Sequence, residues 1–269
     1  MPNNTVEPGK GRQLTIPEIR NQKVVKSNDL IQKSRFQLSL QEQKIILYLI
    51  SKVKPDDDEF MTVKFDTIQF CNVCGIGKSG KNYIDIANTI KRLADKSIWI
   101  PLEGKNKALL RWIDQAIIDE ENGIMKVKLS DLLKPYLLQL HSNFTQFELL
   151  YTLAMKSQYS IRLYEILRSY EYKHTVEFYI EELKGMVNAE CYTNFTDFKR
   201  FVITTAVFEI EALSDINVQY EVFKSGRKYD RIRFTISLKH DLGDRFIVWK
   251  NIQAILDKKP IGETTASTR

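Results

Sequence analysis

Thr196-Asp197-Phe198-Lys199-Arg200-Phe201-Val202-Ile203-Thr204-Thr205-Ala206-Val207-Phe208-Glu209-Ile210 is the stretch on which the fold turns. Phe198, Val202, Ala206 and Ile210 recur at four-residue steps along one side, so a long helix is expected over residues 196–213. Thr196, Lys199 and Arg200 fall off that stripe. The period then shortens to two. Val218-Gln219-Tyr220-Glu221-Val222-Phe223, a turn at Lys224-Ser225-Gly226-Arg227-Lys228 and a strand over 230–238 read as a β-hairpin. Working backwards, Glu181-Glu182-Leu183-Lys184-Gly185-Met186 reads as a short helix and Val176-Glu177-Phe178-Tyr179-Ile180 as a strand. Ser160-Ile161-Arg162-Leu163-Tyr164-Glu165-Ile166-Leu167 reads as a further helix.

The first half carries the same order. Ser39 and Glu42 form a capping box ahead of Ile46, Leu49, Ile50 and Val53 at helical spacing. A strand over 61–65 leads to a short helix capped by Asp66, a glycine-rich turn, and a helix with Tyr83, Ile86, Ala87 and Ile90 on one stripe. Strands are expected at Ile98-Trp99-Ile100, over 108–113 beyond a turn at 103–107, and over 124–129. Subtracting positions gives 113 for Phe178 against Phe65. It gives 120 for Ile210 against Ile90, Leu213 against Leu93, and Val218 against Ile98. Each half is therefore helix, strand, helix, turn, helix, β-hairpin. That order defines an α+β chain of two tandem winged-helix domains, the winged variant of helix-turn-helix.

In such a domain the helix after the turn can enter a DNA major groove, while a basic hairpin reaches the flanking backbone. In the second half Thr196, Lys199 and Arg200 face away from the core stripe. In the first half Lys81, Asn82, Asp85 and Asn88 do so, with Lys78 just ahead of them. Arg suits guanine and Asn suits adenine in two-point bonding, whereas Asp85 would repel a phosphate. From Tyr220 to Thr235 five basic residues (Lys224, Arg227, Lys228, Arg231, Arg233) stand against Glu221 and Asp230. Lys105 and Lys107 occupy the first hairpin turn, with Arg111 beyond. Such cations fit phosphate contacts, which position a protein and make its binding salt-dependent.

Composition agrees with a folded chain that can bind an anionic partner. The 269 residues carry a formal charge of +6, with 43% hydrophobic and 28% charged residues. The apolar run Ile45-Ile46-Leu47-Tyr48-Leu49-Ile50 is far short of a membrane span, and no leader-like stretch follows Met1. A cytoplasmic protein without membrane contact is expected. Three cysteines, an odd number, argue against a disulfide framework.

Catalytic signatures are weak. His141, His174 and His240 are isolated, so neighbouring histidines cannot build the metal site of a rolling-circle nickase. Tyr159, Tyr164, Tyr170 and Tyr172 cluster in one stretch, but Leu163, Ile166, Leu167 and Tyr170 fall at helical core spacing, so packing roles are read there. Gly75-Ile76-Gly77-Lys78-Ser79-Gly80 matches a dinucleotide pattern and the end of a P-loop. However, no strand runs into Gly75, and Asn72 stands where the P-loop needs its first glycine. Nucleotide binding by residues 75–79 is the enzymatic alternative. Cys71-Asn72-Val73-Cys74 lacks a second ligand pair at zinc spacing, so buried small residues are expected there. No enzyme activity, metal or cofactor is expected.

The residues also resemble a known family. Val24-Val25-Lys26-Ser27-Asn28-Asp29-Leu30-Ile31, Phe36-Gln37-Leu38-Ser39-Leu40-Gln41-Glu42-Gln43-Lys44 and Ser160-Ile161-Arg162-Leu163-Tyr164-Glu165-Ile166-Leu167-Arg168-Ser169-Tyr170 carry the likeness. Phe198-Lys199-Arg200 and Glu211-Ala212-Leu213-Ser214-Asp215 support it. Over residues 24–240 the chain resembles the replication initiators of iteron-containing, theta-replicating bacterial plasmids. The resemblance implies binding of directly repeated origin sites in double-stranded DNA as a monomer. It also implies homodimers, joined through the N-terminal domain, that repress the initiator's own promoter. Host replication initiator and helicase machinery would be recruited without bond chemistry. A dedicated transcription repressor shares every feature read so far and is the other alternative. The expected organisation is a flexible arm (1–23), an N-terminal domain for dimerisation and DNA contact (24–140), a C-terminal domain making the main DNA contacts (141–248), and a tail (249–269).

Overall fold

The computed structural model describes residues 14–76, 80–102 and 104–257, with the backbone alone at 80–83. Helix α1 (Ile16–Arg20) starts from a capping box of Thr15 and Glu18 and leads into strand β1 (Lys23–Ser27) and helix α2 (Asn28–Gln32). The expected Ser39 capping box starts α3 (Leu40–Ile50), with the Ser39 N–H donating to the Glu42 carboxylate at 2.7 Å. Strand β2 (Val63–Asp66) runs into α4 (Thr67–Val73), where Asp66 accepts from the Gln69 N–H at 2.8 Å. Helix α5 (Gly80–Ala94) follows, then β3 (Ser97–Pro101), β4 (Lys107–Arg111), β5 (Ile113–Asp119) and β6 (Ile124–Leu129). The short α6 (Lys134–Leu137), strand β7 (Phe144–Glu148) and helices α7 (Leu149–Ala154) and α8 (Gln158–Ser169) lead to the second half.

The second half runs β8 (Thr175–Tyr179), α9 (Ile180–Val187), α10 (Phe195–Phe198), a π-helical turn (Lys199–Thr204) and α11 (Thr205–Leu213). Strands β9 (Ile216–Ser225) and β10 (Lys228–Leu238) and helix α12 (Leu242–Leu256) complete it. Two three-stranded antiparallel sheets share one connectivity, β2–β6–β5 and β8–β10–β9. In each, the strand before the helix-turn-helix pairs with the second strand of a hairpin. This is the tandem winged-helix α+β architecture.

Several elements differ from expectation. The strand expected over 108–113 ends at Arg111, where Trp112 turns fully into the core, and a further strand that was not expected, β5, follows from Ile113 to Asp119. Consequently the first-half hairpin expected around residues 103–107 is a separate two-stranded sheet, β3–β4, fastened to the body by a bridge between Trp99 and Arg35. The counterpart of the β9–β10 hairpin is β5–β6, so the pairing of Val218 with Ile98 by position does not correspond to the topology.

The expected boundaries also cut across elements. Strand β7 lies beyond 140 yet pairs with β1, from Lys23 against Glu148 to Ser27 against Phe144. Helix α12 runs unbroken through residue 249. Residues 16–23, expected within the arm, are folded: Arg20 is buried and donates to the Val73 and Asn72 carbonyls at 2.9 and 2.8 Å. Its remaining nitrogen meets Asp257 at 2.8 Å. Arg20 thereby satisfies exposed carbonyls at the end of α4 and ties them to the end of α12. Residues 1–13 of the expected arm and 258–269 of the expected tail lie outside the described residues.

Cys71 and Cys74 are buried, and burial pushes the Cys74 thiol up to about 12. Tyr164 is buried and donates its hydroxyl to Asp215 at 2.8 Å. Tyr172, however, is exposed and belongs to no core, because the helix expected to carry it ends at Ser169. Among the described residues no helix is long and apolar enough to cross a membrane, and no three His, Cys, Asp or Glu gather as metal ligands would.

Candidate nucleic-acid interface

The second domain builds the clearer surface. Helix α9 stops at Asn188, whose left-handed backbone (φ 56°) lets its N–H close on the Lys184 carbonyl. Asn tolerates that conformation, and the chain turns there. Asn194 then caps α10 by accepting from the Asp197 N–H at 2.8 Å. Phe198, Val202, Ala206 and Ile210 are fully buried, as their spacing requires, while Thr196, Lys199 and Arg200 are exposed. The helix is continuous from Phe195 to Leu213, but it widens through the π-helical turn at Lys199–Thr204, which holds both cations.

The wing is locked to that helix by aromatic stacking. Phe195 at the helix start and Tyr229 at the start of β10 lie 4.2 Å apart, 27° from parallel, and the Lys224 ammonium sits 4.5 Å from the Tyr229 ring. Gly226 at φ 61° and Arg227 form the hairpin turn. Lys224, Arg227 and Lys228 are exposed at this tip. Lys199 follows Phe195 by about one helical turn, and its ammonium lies 6.0 Å from the Tyr220 ring on β9.

Arg231 belongs to a different environment. It pairs with Glu177 at 2.7 Å and Asp230 at 3.4 Å, and Arg233 pairs with the same Glu177 at 2.9 Å. Burial pushes the Glu177 carboxyl up, but hydrogen bonds from Arg233 and Arg231 outweigh it and hold the group below its ordinary value. The wing's free positive charge is therefore gathered at the tip rather than spread along β10.

The first domain is not a copy of this surface. Helix α5 presents Asn88 and Asp85 outward, with exposed Lys91 and Arg92 further along. Lys81 and Asn82 lie in its first turn, but their side chains, like all of Lys78, are outside the described residues. Its topological wing, β5–β6, ends in Asp119-Glu120-Glu121-Asn122-Gly123, where Asn122 donates to Asp119 at 2.9 Å. Three carboxylates at a wing tip repel phosphate. The expectation of two basic wings is therefore corrected. Lys105 and Lys107 are exposed, but on the extra β3–β4 hairpin, whose outer face carries the exposed Trp99–Leu109 pair.

Two family models match the chain in tandem. "Initiator Replication protein, WH1" covers residues 23–168 and "Initiator Rep protein, WH2" covers residues 179–236. The chain belongs to the initiator replication protein family. The PI protein of Escherichia coli is 26% identical over an alignment of 171 residues, which covers 54% of this chain and 55% of that protein. This chain thus spans about half the length of that curated relative. A crystal structure of the Pi initiator protein in complex with iteron DNA superposes with a TM-score of 0.68 at 20% identity. It covers 82% of this chain and 99% of that chain, so the fold is shared.

Sequence reasoning missed four features of this initiator: the π-helical turn, the Phe195–Tyr229 anchor, the Glu177 clamp and the acidic tip of the first wing. Only the last had a local signal, Asp119-Glu120-Glu121-Asn122-Gly123, a turn-forming acidic run ahead of the alternating strand at 124–129.

Proposed function

We propose that this chain initiates plasmid replication by binding directly repeated sites in double-stranded origin DNA as a monomer, without catalysing any bond change. One arrangement carries the reading: Thr196, Lys199 and Arg200 stand exposed on the second recognition helix, beside a basic wing tip anchored to the start of that helix. Arg200 suits a guanine edge in the major groove, Thr196 and Lys199 lie alongside, and Lys224, Arg227 and Lys228 suit adjacent phosphates. Arg231, held by Glu177 and Asp230, contributes structure to the wing more than charge to DNA. The C-terminal domain makes the main contacts. The N-terminal domain meets the neighbouring part of the site through α5, with Lys78, Lys81, Asn82 and Asn88, and through Lys105 and Lys107 on β3–β4.

In this reading the protein also forms homodimers through its N-terminal domain and represses its own promoter in the cytoplasm. As a monomer on repeated sites it bends the origin and recruits host initiator and helicase machinery. The test is a footprint on DNA flanking its own gene at two salt concentrations. Evenly spaced direct repeats protected together support the initiator reading. Protection of one inverted repeat alone points instead to a dedicated repressor. Purely salt-sensitive protection without sequence preference overturns both.

A further inference from the structure

The recognition helix exposes two phenylalanines, Phe201 and Phe208, and Phe201 is the one that adjoins Arg200. Phe201 lies between Arg200 and the core residue Val202, and 45% of it is open to solvent. It is nevertheless held firmly. Tyr192, in the turn before the helix, stacks on it at 6.0 Å and 25°, and Tyr159 at the start of α8 braces Tyr192 edge-on at 6.1 Å. On the same ring rests the Arg200 guanidinium, 5.0 Å from the centroid. A ring that costs solvation to expose, yet is fixed in place beside the best-placed guanine reader, behaves as a contact surface rather than as a stray core residue.

The major groove offers one apolar feature, the C5 methyl group of thymine, and Phe is among the side chains that meet it. The local helix geometry allows the two residues to act together. Lys199–Thr204 is a π-helical turn, and its larger circumference narrows the angle between consecutive side chains, so Arg200 and Phe201 both point outward. Contact with the ring also orients the planar guanidinium, which spares part of the rotamer entropy that a two-point bond to guanine requires.

We propose that Phe201 is a specificity-determining residue that packs against the methyl group of a thymine neighbouring the guanine bonded by Arg200, and that its ring positions that guanidinium. The proposal rests on the DNA-binding reading above. Phe208, seven residues on and 73% exposed, meets no ring or cation among the described residues and lies about 10 Å farther along the axis, so it serves as the control.

The experiment replaces thymines of the footprinted repeat one at a time with deoxyuridine, which removes only the methyl group, and measures Kd by fluorescence anisotropy. The natural protein is expected to lose about fourfold at one thymine per repeat, the effect of one methyl group returned to water. Phe201→Ala should bind thymine and deoxyuridine equally at that position and lose discrimination at the adjacent guanine. Phe201→Leu keeps apolar surface without a stacking face. It should retain the methyl effect while losing guanine discrimination. Phe208→Ala should behave as the natural protein. Because each result is a ratio within one variant, a partly folded preparation does not imitate it. An unchanged deoxyuridine penalty in Phe201→Ala, or no penalty at any thymine in the natural protein, overturns the assignment and leaves sequence-specific binding intact. Absence of any sequence preference in the natural protein overturns the DNA-binding reading itself.

Discussion

The Lys26 ammonium lies 2.6 Å from the Glu165 carboxylate, with 1% and 3% of the two side chains exposed, and this pair joins β1 of the first domain to α8. Burial lowers the lysine's pKa, and the facing Glu165 opposes that shift. Arg162 completes the group. Its Nη1 is 3.7 Å from Glu165, and it donates to the carbonyls of Ile31 and Ser34 in the first half and of Met186 in α9. A side chain shared by both domains thus depends on an ion pair that water does not reach.

Removing one partner leaves the other charge buried. Glu165→Leu should destabilise the protein by about 3–5 kcal/mol in urea unfolding, whereas Lys26→Met with Glu165→Leu should recover most of the loss. Arg162 keeps its carbonyl acceptors in both variants. A double variant no more stable than Glu165→Leu would contradict this account.

Acid should weaken the start of α3. Burial pushes the Glu42 carboxyl up, but the hydrogen bond from Lys96 at 2.6 Å and that from the Ser39 amide prevail and hold it below its ordinary value of 4.5. A carboxyl with a depressed folded pKa contributes stability that is complete above its unfolded pKa and is lost as pH falls through the folded value. The difference in Tm between the natural protein and Glu42→Gln should therefore be constant near neutrality and shrink below pH 4.5. A difference that persists undiminished in acid would remove the ion pair from the explanation.

Arg200 and Lys228 should fail in different ways. Arg200→Ala is expected to cost about 1–3 kcal/mol on the cognate site and to relax one base preference. Lys228→Ala should weaken binding to all sequences alike and reduce the salt slope by about one. Binding isotherms on cognate and scrambled duplexes at several salt concentrations separate the two. Equal losses on both duplexes for Arg200→Ala would exclude it from base reading.

Gly75 is constrained twice. Its φ is +66°, and a Cβ placed there would stand 2.8 Å from Leu256 Cα and 2.9 Å from Leu256 O. Both are backbone atoms that cannot rotate aside. Gly75→Ala should cost about 1–3 kcal/mol and loosen the end of α12, seen as faster amide exchange there. Unchanged exchange in α12 would show that the helix is held elsewhere.

Much of this was legible in local pattern. Ser39 with Glu42, Asp66, and the stripe from Phe198 to Ile210 each announce an element through hydrogen-bonding or burial needs met within a few residues. What stayed hidden depends on distant partners. Alternation marks β4 and β6 as strands but leaves β5 unmarked and does not say which strands pair, so the extra β3–β4 hairpin passed for a wing. Arg231 and Arg233 read as free charge because Glu177, more than fifty residues away in sequence, pairs with both only in the folded sheet. Arg20 sits in a polar, proline-bearing segment, and its acceptors at 72, 73 and 257 come together only through tertiary packing. The π-helical turn leaves no compositional trace.

That turn resolves a geometric conflict. Four-residue steps overshoot each revolution of an ordinary α-helix by about 40°, so the stripe from Phe198 to Ile210 would wind away from the core. One roomier revolution takes back part of the drift. It works as a vernier between two surfaces with separate demands, because the half of the helix carrying Arg200 can be phased for a groove while the half carrying Ile210 stays phased for the core. Deleting a single residue between 199 and 204 would remove that adjustment, and insertions or deletions there would retune recognition more sharply than substitutions of the same residues.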